Sequence, residues 1–476
     1  MTAPQTQAHH RAALAAALAT VIGLAGCAGP APGVKAADAD TLQQAGVPAL
    51  LPSAAGAPAD TPALAWRTLV QSPRLAHWVD LALRNNRDLR VAMLNVQRAQ
   101  AQLGGAEANR GPLIGAGLNA ARAPNSRGEQ ANSLSAGVQL SAWEIDLFGR
   151  LANVSEAARA QWLASEAGRR AAELSLVAAV LQAGLALQAD DELLALARQA
   201  LASREQTLQL TALRESAGAA SLLELQAQQT LAAQARASIA QLSRQQAQDG
   251  HALALLLGQP VPLGTPASGT ANAATGPRLA DEAWLAEVPA GLSSSVLLAR
   301  PDVIAAEQAL HAAQANIAAA RAAFWPSITL TAQAGQASPQ LAGLLAGGNF
   351  AYTLAASALA TVFDGGRRQA TVDVAVANQQ IALAQYERSL QAAFRDTADA
   401  LAGLSTWRAQ LAATVAQRDA SRDTVRLTEL KASQGAASAL ERLDAQRAAW
   451  AAEQAVVQVR LGELVNRVAL FKALGA

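Results

Sequence analysis

One cysteine stands in 476 residues, so no internal disulfide can form. No charge of either sign prevails. The 37 basic and 36 acidic residues leave a net charge of +1, which gives no footprint for nucleic acid. The five histidines (His9, His10, His77, His251 and His311) show no metal-ligand spacing. The glycines at Gly343, Gly347 and Gly348 lie between strand-like segments rather than before a phosphate-binding helix. These absences point away from an enzyme and call for no cofactor. Beyond the first residues there is no run of twenty apolar side chains, so no transmembrane helix is expected and a membrane-spanning part would have to be a β-barrel. Proline is missing between Pro124 and Pro260 and again after Pro339, which leaves both stretches free to form long helices.

What is present begins with an export signal. Arg11 precedes an apolar run from Ala12 to Leu24, too short to span a bilayer, that ends in Leu24-Ala25-Gly26-Cys27. Residues 1–26 read as a signal peptide and Cys27 as the acylated first residue of a lipoprotein. Ala28 follows; no aspartate stands there to retain the chain at the inner membrane, so outer-membrane sorting is expected. Residues 27–62 carry six prolines among alanine and glycine and read as a lipidated, flexible tether.

The rest of the chain is written twice. Gly218-Ala219-Ala220-Ser221 recurs as Gly435-Ala436-Ala437-Ser438, Leu223-Glu224 as Leu440-Glu441 and Gly149-Arg150 as Gly366-Arg367, all at an offset of 217. Pro112-Leu113-Ile114 recurs as Pro326-Ser327-Ile328 at 214. The first copy covers 63–258, with strands at about 112–123 and 133–146 and long helices over about 150–257. A linker follows at 259–299. The second copy covers 300–476, with strands at about 326–337 and 349–363 and helices over about 366–473. Apolar residues recur every seven positions: Val180, Leu187, Leu194, Leu201 and Leu208 in the first copy, then Leu383, Leu390, Leu404 and Leu411, and Leu443, Trp450, Val457, Leu464 and Phe471 in the second. That repeat specifies coiled-coil packing, and a helix from Arg367 to Ala432 would run on the order of 100 Å at ~1.5 Å per residue.

The strand segments alternate instead. Leu134, Ala136, Val138, Leu140 and Ala142 interleave with Ser133, Ser135, Gly137, Gln139 and Ser141, and Ile328, Leu330, Ala332 and Ala334 with Thr329, Thr331, Gln333 and Gly335. Runs of about ten residues with one apolar face match transmembrane β-strands whose polar face looks into water. Trp143, Phe148, Phe324, Trp325 and Phe363 all fall where strand meets helix, as interfacial aromatics of a barrel would. Four strands cannot close a barrel, and two copies would give eight, whose interior side chains fill. Three copies would give twelve and a channel, so the count argues for a homotrimer. The expected fold is mainly α with a small transmembrane β part: a twelve-stranded barrel continued by an α-helical barrel.

Several stretches then match a family. They are Trp143-Glu144-Ile145-Asp146-Leu147-Phe148-Gly149-Arg150, Arg300-Pro301-Asp302-Val303, Ala322-Ala323-Phe324-Trp325-Pro326-Ser327-Ile328, Phe363-Asp364-Gly365-Gly366-Arg367-Arg368, Leu443-Asp444-Ala445-Gln446-Arg447 and Phe471-Lys472-Ala473-Leu474-Gly475. Together they resemble the outer-membrane factor family of TolC-like exit ducts, in particular its OprM/NodT-like lipoprotein branch. The resemblance implies a homotrimer in outer-membrane lipid, an equatorial collar holding the 259–299 linker, a periplasmic adaptor and an inner-membrane RND pump. It places both turns, Gly218, Ala219, Ala220, Ser221 and Gly435, Ala436, Ala437, Ser438, at a periplasmic tip where the adaptor docks. It places Glu441 and Asp444 at the narrowest part of the tunnel, with Glu224, the duplicate of Glu441, as a further acid at the mouth. A ring of carboxylates there would attract cations, and crowding would raise some of their pKa values. The plainer reading is a solvated helix face with an Arg442–Asp444 contact. TolC latches this tip with a tyrosine and an arginine; Ala432 and Ala437 stand at the corresponding places, so that latch is not implied. A polypeptide-secretion duct and a non-channel coiled-coil lipoprotein are the alternatives to small-molecule efflux.

Overall fold

The computed structural model describes residues 45–46, 65–124, 126, 128–261, 278–280, 283–287, 294–345 and 348–475. The signal 1–26, Cys27, Gly347 and most of the 27–62 tether lie outside the described residues. Within the tether, Ala45 is buried, and its carbonyl accepts a hydrogen bond of 3.0 Å from Gln391 Nε2. At that point the expected flexible segment is docked.

The chain opens with α1 (Trp66–Leu69), α2 (Pro73–Asn85) and α3 (Arg87–Ala108), then β1 (Ile114–Pro124) and β2 (Gln130–Glu144). Two long helices follow, α4 (Arg150–Ser216) and α5 (Leu222–Leu257). A 3-10 turn at Ser294–Ala299 leads into the second copy. This holds α6 (Pro301–Ala322), β3 (Ser327–Ser338), α7 (Leu341–Leu345), β4 (Phe350–Leu359), α8 (Arg367–Ser433) and α9 (Ala439–Ala473). The helix–strand–strand–hairpin order thus occurs twice. Alanine content and the absence of proline explain how α4 and α8 each run unbroken for 67 residues. Between β3 and β4 the stretch containing Gly343 folds into a single helical turn, α7, tied down by Asn349 Nδ2 donating to the Gly343 carbonyl at 2.7 Å.

Two compact units emerge. One takes in Gln97–Ala164 and Ala306–Gln385 and holds the sheet. The four strands are antiparallel in the order β1-β2-β3-β4, so β1 and β4 each leave one edge unpaired. Register carries one face across all four strands: Ala116 pairs with Val138, Val138 with Ala334 and Ala334 with Tyr352. Apart from Gln336 and the Arg122–Asn132 pair that face is mainly apolar, and it is open in the single chain; Ile114, Leu118, Val138, Phe350, Tyr352 and Leu354 are each more than half exposed. The opposite face carries the row Gly117–Gly137–Gly335–Ala351 and, beside it, Gln139–Gln333–Thr353. The alternation expected through Ala142 breaks before it, because a bulge between Leu140 and Trp143 puts Ala142 at φ 33°.

The other unit takes in Ala37–Val96, Ser165–Ala305 and Tyr386–Ala476. Its core packs Leu75 and Val79 of α2 against Val180, Leu181 and Leu185 of α4, Leu253 and Leu257 of α5, and Leu464, Val468 and Phe471 of α9. Each buried leucine contributes about 1.5–3 kcal/mol. The same core explains why α4 contains an 18-residue window apolar enough to cross a bilayer, which the sequence reading did not expect: half of that window is buried within the chain. The inter-repeat segment supplies Leu279, Trp284 and Leu285, and the Trp284 carbonyl accepts from Gln71 N and Ser72 N at 3.1 and 3.4 Å. The seven-residue repeat of α8 skips one position, and that position is Thr397. It is fully buried, and its hydroxyl donates to the Ala393 carbonyl at 2.9 Å, the bond that lets a polar side chain sit in an apolar seam.

Candidate functional site

Each hairpin ends in the same turn because each carries the same four residues. Gly218 and Gly435 take φ of 74° and 72°, the left-handed conformation that ends a helix without a Cβ clash. The next residue closes the loop: Ala219 N donates to the Arg214 carbonyl at 2.7 Å and Ala436 N to the Lys431 carbonyl at 2.9 Å. Ser221 and Ser438 then cap the returning helices, accepting from Glu224 N at 3.1 Å and Glu441 N at 3.2 Å. Around these turns the surface is apolar and open. Leu213, Leu222 and Leu223 flank the first, and Leu427, Leu430 and Leu440 the second; all six are exposed.

The candidate constriction acids differ from one another. Glu441 turns back on the cap, and its Oε2 accepts from Ser438 N at 2.7 Å and Ser438 Oγ at 3.1 Å, completing a capping box. These bonds, the backbone one first, hold its carboxyl below the usual carboxylate range. The direction in the single chain is opposite to the elevation expected from crowding. Asp444 is exposed and lies 3.6 Å from Arg447, not beside Arg442 as the plainer reading had it. Glu224 is half-buried and caps no backbone amide reciprocally. Glu441 and Asp444 share no hydrogen bond.

At the strand–helix junctions the five aromatics differ in their contacts. Trp143 Nε1 donates to the Arg110 carbonyl at 2.8 Å. Phe148 stacks on Trp325, with centroids 5.2 Å apart and planes 11° from parallel. Arg368 lies over the Phe324 ring at 5.0 Å and donates to the Thr361 carbonyl at 2.7 Å, while Phe363 is 88% exposed beside a fully open Val362. Aspartates begin both long helices: Asp146 accepts from Ala152 N at 2.7 Å, and Asp364 accepts from Gly366 N and Arg368 N at 3.0 and 3.1 Å. The Arg368 side chain, hydrogen-bonded to Asp364 at 2.8 Å, keeps that carboxyl below its ordinary range. Glu144 holds Arg150 through two bonds of 2.9 and 2.5 Å.

Two buried charged clusters escaped the sequence reading, and a third, at Arg300 and Asp302, was quoted there only as a family motif. Asp190 on α4 is 7% exposed and shares a hydrogen bond with Asp249 of α5; burial first, then Asp249, pushes it up to about 7. A signal existed, since three consecutive acids, Asp190-Asp191-Glu192, interrupt the apolar repeat between Leu187 and Leu194 and one must face inward. Glu463, 4% exposed, sits between Arg460 and Arg467, which also reach the carbonyls of Leu279 and Leu285. Arg300, 5% exposed, joins Asp302 at 2.8 Å to the Ala473 carbonyl at 2.8 Å, near the end of α9. Burial opposes ionisation of Asp302, but the Arg300 guanidinium wins and holds it low.

The family model described as outer membrane efflux protein matches residues 78–259 and 292–476. The chain is 38% identical over 420 residues to the toluene efflux pump outer membrane protein TtgC of Pseudomonas putida, covering 86% of this chain and 84% of that protein. It is 38% identical over 436 residues to the outer membrane protein OprJ of Pseudomonas aeruginosa, covering 88% and 87%. Among solved structures, the open state of the MtrE outer membrane channel of Neisseria gonorrhoeae superposes with a TM-score of 0.81 at 34% identity, covering 94% of this chain and 97% of that one.

Proposed function

The chain belongs to the outer membrane efflux protein family and is an outer-membrane exit channel for efflux, and from that premise we propose that three copies close one duct, which receives its substrates from a periplasmic adaptor and an inner-membrane pump of the RND class. The observation that carries the proposal is the sheet. It has two unpaired edges, an exposed apolar face and an opposite face of glycine, serine, threonine and glutamine. Because neighbouring strands alternate in direction, β4 of one copy meets β1 of the next in antiparallel fashion, and repetition closes a ring without an edge. The apolar face then meets lipid and the polar face, with Glu144 at its strand end paired to Arg150, lines water.

In this reading residues 1–26 are removed, Cys27 carries the lipid, and the 27–62 tether leads from the membrane into the first repeat. Trp143, Phe148, Phe324, Trp325 and Phe363 sit at the periplasmic membrane interface. The two Gly-Ala-Ala-Ser turns and their exposed leucines meet the adaptor, an apolar surface of the kind that marks a partner site. Glu441, Asp444 and Glu224 face the tunnel mouth. The relatives' names carry toluene and antibiotics; small apolar or amphipathic toxic compounds are the substrate class proposed here.

Two measurements test the reading. Unheated outer-membrane extract should give a band near three times the mass of the heated chain. A deletion strain should accumulate dye and solvent, and regain efflux with the gene restored. A monomeric species that a lipid-cleaving enzyme releases in soluble form would sink it.

A further inference from the structure

Arg204 lies on α4, twelve residues before the helix ends at Ser216, which is roughly 18 Å along the axis. Its guanidinium links α4 to two further helices. Nη1 donates to the Leu231 carbonyl of α5 at 3.1 Å, and Cζ stands 5.1 Å from the ring centre of Trp450 on α9. Among the described residues, no hydrogen bond or ion pair joins the first hairpin (α4 and α5) to the second (α8 and α9) on the tip side of this contact. The ion pairs in that region stay within one hairpin, Arg236–Glu205 in the first and Arg422–Glu453 in the second.

The contact also carries built-in costs. The Trp450 Nε1 hydrogen is buried with no acceptor. Gln228 of α5 is 1% exposed and its Nε2 has no partner either. It belongs to the buried stripe Gln228, Leu231, Ala232 and Ala235, whose spacing of three, four and seven residues is one helix face. Arg447, one turn tipward of Trp450, sets a second guanidinium against Arg204. Burial and that like charge together hold the pKa of Arg204 below its usual value. Asp444, 3.6 Å from Arg447, is the nearby countercharge. A cation over an aromatic ring attracts, while buried donors without acceptors and a partly dry cation beside another repel. Water entering between the hairpins would satisfy both donors and screen the two guanidiniums.

We propose that Arg204, Trp450 and Gln228 form a releasable clasp between the first hairpin and α9, a balanced contact whose strength positions the acids at the tunnel mouth. The inference rests on the duct reading above and names positioning residues for its constriction. The clasp holds by the cation–ring contact and opens by hydration of the donors it leaves unpaired.

The opposing signs give the test, made on the purified full-length protein in planar bilayers. Gln228→Leu removes an unpartnered donor and keeps the packing. It should tighten the clasp and lower open probability roughly fivefold or more. Trp450→Leu removes the ring and should raise open probability by a similar factor. In Arg204→Cys/Trp450→Cys, a short reductant-cleavable thiol cross-linker should lower conductance, and a reductant should restore it. A merely structural role would move every variant the same way. The clasp is overturned if Gln228→Leu conducts as well as the parent or fails to assemble, or if the cross-link forms without effect. A parent that assembles but conducts nothing removes the duct reading itself; a parent that conducts while no variant moves removes the clasp alone.

Discussion

Asp190 offers a prediction whose sign runs against the usual behaviour of a carboxylate. Its carboxyl is almost enclosed, its Oδ2 has no partner, and the groups facing it, Asp249 and Asp191, are acids. The folded pKa of about 7 stands above the unfolded value of about 3.9. Between those two values the unfolded chain releases a proton that the folded chain keeps, so stability falls as pH rises through that window and the penalty is complete above pH 7. Three units at about 1.36 kcal/mol each give an upper figure near 4 kcal/mol. Water reaches the partly exposed Asp249 and Asp191 and screens the pair, which brings the expected penalty to about 2 kcal/mol. Asp190→Asn keeps the shape, cannot ionise and can donate to Asp249. At pH 8 it should raise the thermal midpoint of the detergent-purified protein on the order of 4 °C. At about pH 3.5, below the unfolded value, the two proteins should melt together to within about 1 °C, since Asp190 is then largely protonated whether the chain is folded or unfolded. An equal gain at both pH values, or a loss at pH 8, would refute the electrostatic account.

Other outcomes follow from the same geometry. Glu463→Gln strands Arg460 and Arg467 in a buried site and should destabilise by about 3–5 kcal/mol, read as a lowered melting midpoint; a variant within 1 °C of the parent would contradict that role. Glu441→Gln with Asp444→Asn should reduce cation selectivity in bilayer reversal potentials, and unchanged selectivity and conductance would remove both acids from the constriction. The low pKa of Glu441 means its charge is lost only as pH falls below the ordinary carboxylate range, so its share of the selectivity should persist at pH 5. Ser438→Ala should cost about 1 kcal/mol through the lost cap, with Asp444 still supplying cation preference. Cys27→Ala should lower the yield of assembled channels more than transport per channel; normal assembly with failed transport would reverse that order.

The sequence made the architecture legible because the same instructions appear twice. Two Gly-Ala-Ala-Ser turns fix the hairpin ends, and the switch from a period of seven to a period of two separates helix from strand. Thr397 was a gap in the repeat on paper and a satisfied core hydroxyl in the fold, because its bond goes to a carbonyl four residues back. The capping boxes were readable too, as Ser221-Leu222-Leu223-Glu224 and Ser438-Ala439-Leu440-Glu441 carry the serine-to-glutamate spacing. Only the second forms in full, and it gives Glu441 a second occupation that a reading of charge alone passes over. What stayed hidden were pairings across long separations. Nothing local joins Asp190 to Asp249, Arg204 to Trp450 or Arg467 to the Leu285 carbonyl; the packing of distant helices decides them.

The two unpaired edges of the sheet have a consequence for how such a channel is built. An edge cannot be satisfied by the chain that owns it, so a lone subunit or a pair offers strands to any neighbour it meets. In the proposed three-copy ring, closure is the step that ends this exposure, which makes assembly close to all-or-none. A copy able to lend one edge but not accept at the other would join a ring and spoil it. If normal and defective copies were made in equal amounts and mixed freely, about one ring in eight would be sound. The sheet edge that allows a channel to be built from copies of one chain therefore also makes a single faulty gene copy dominant.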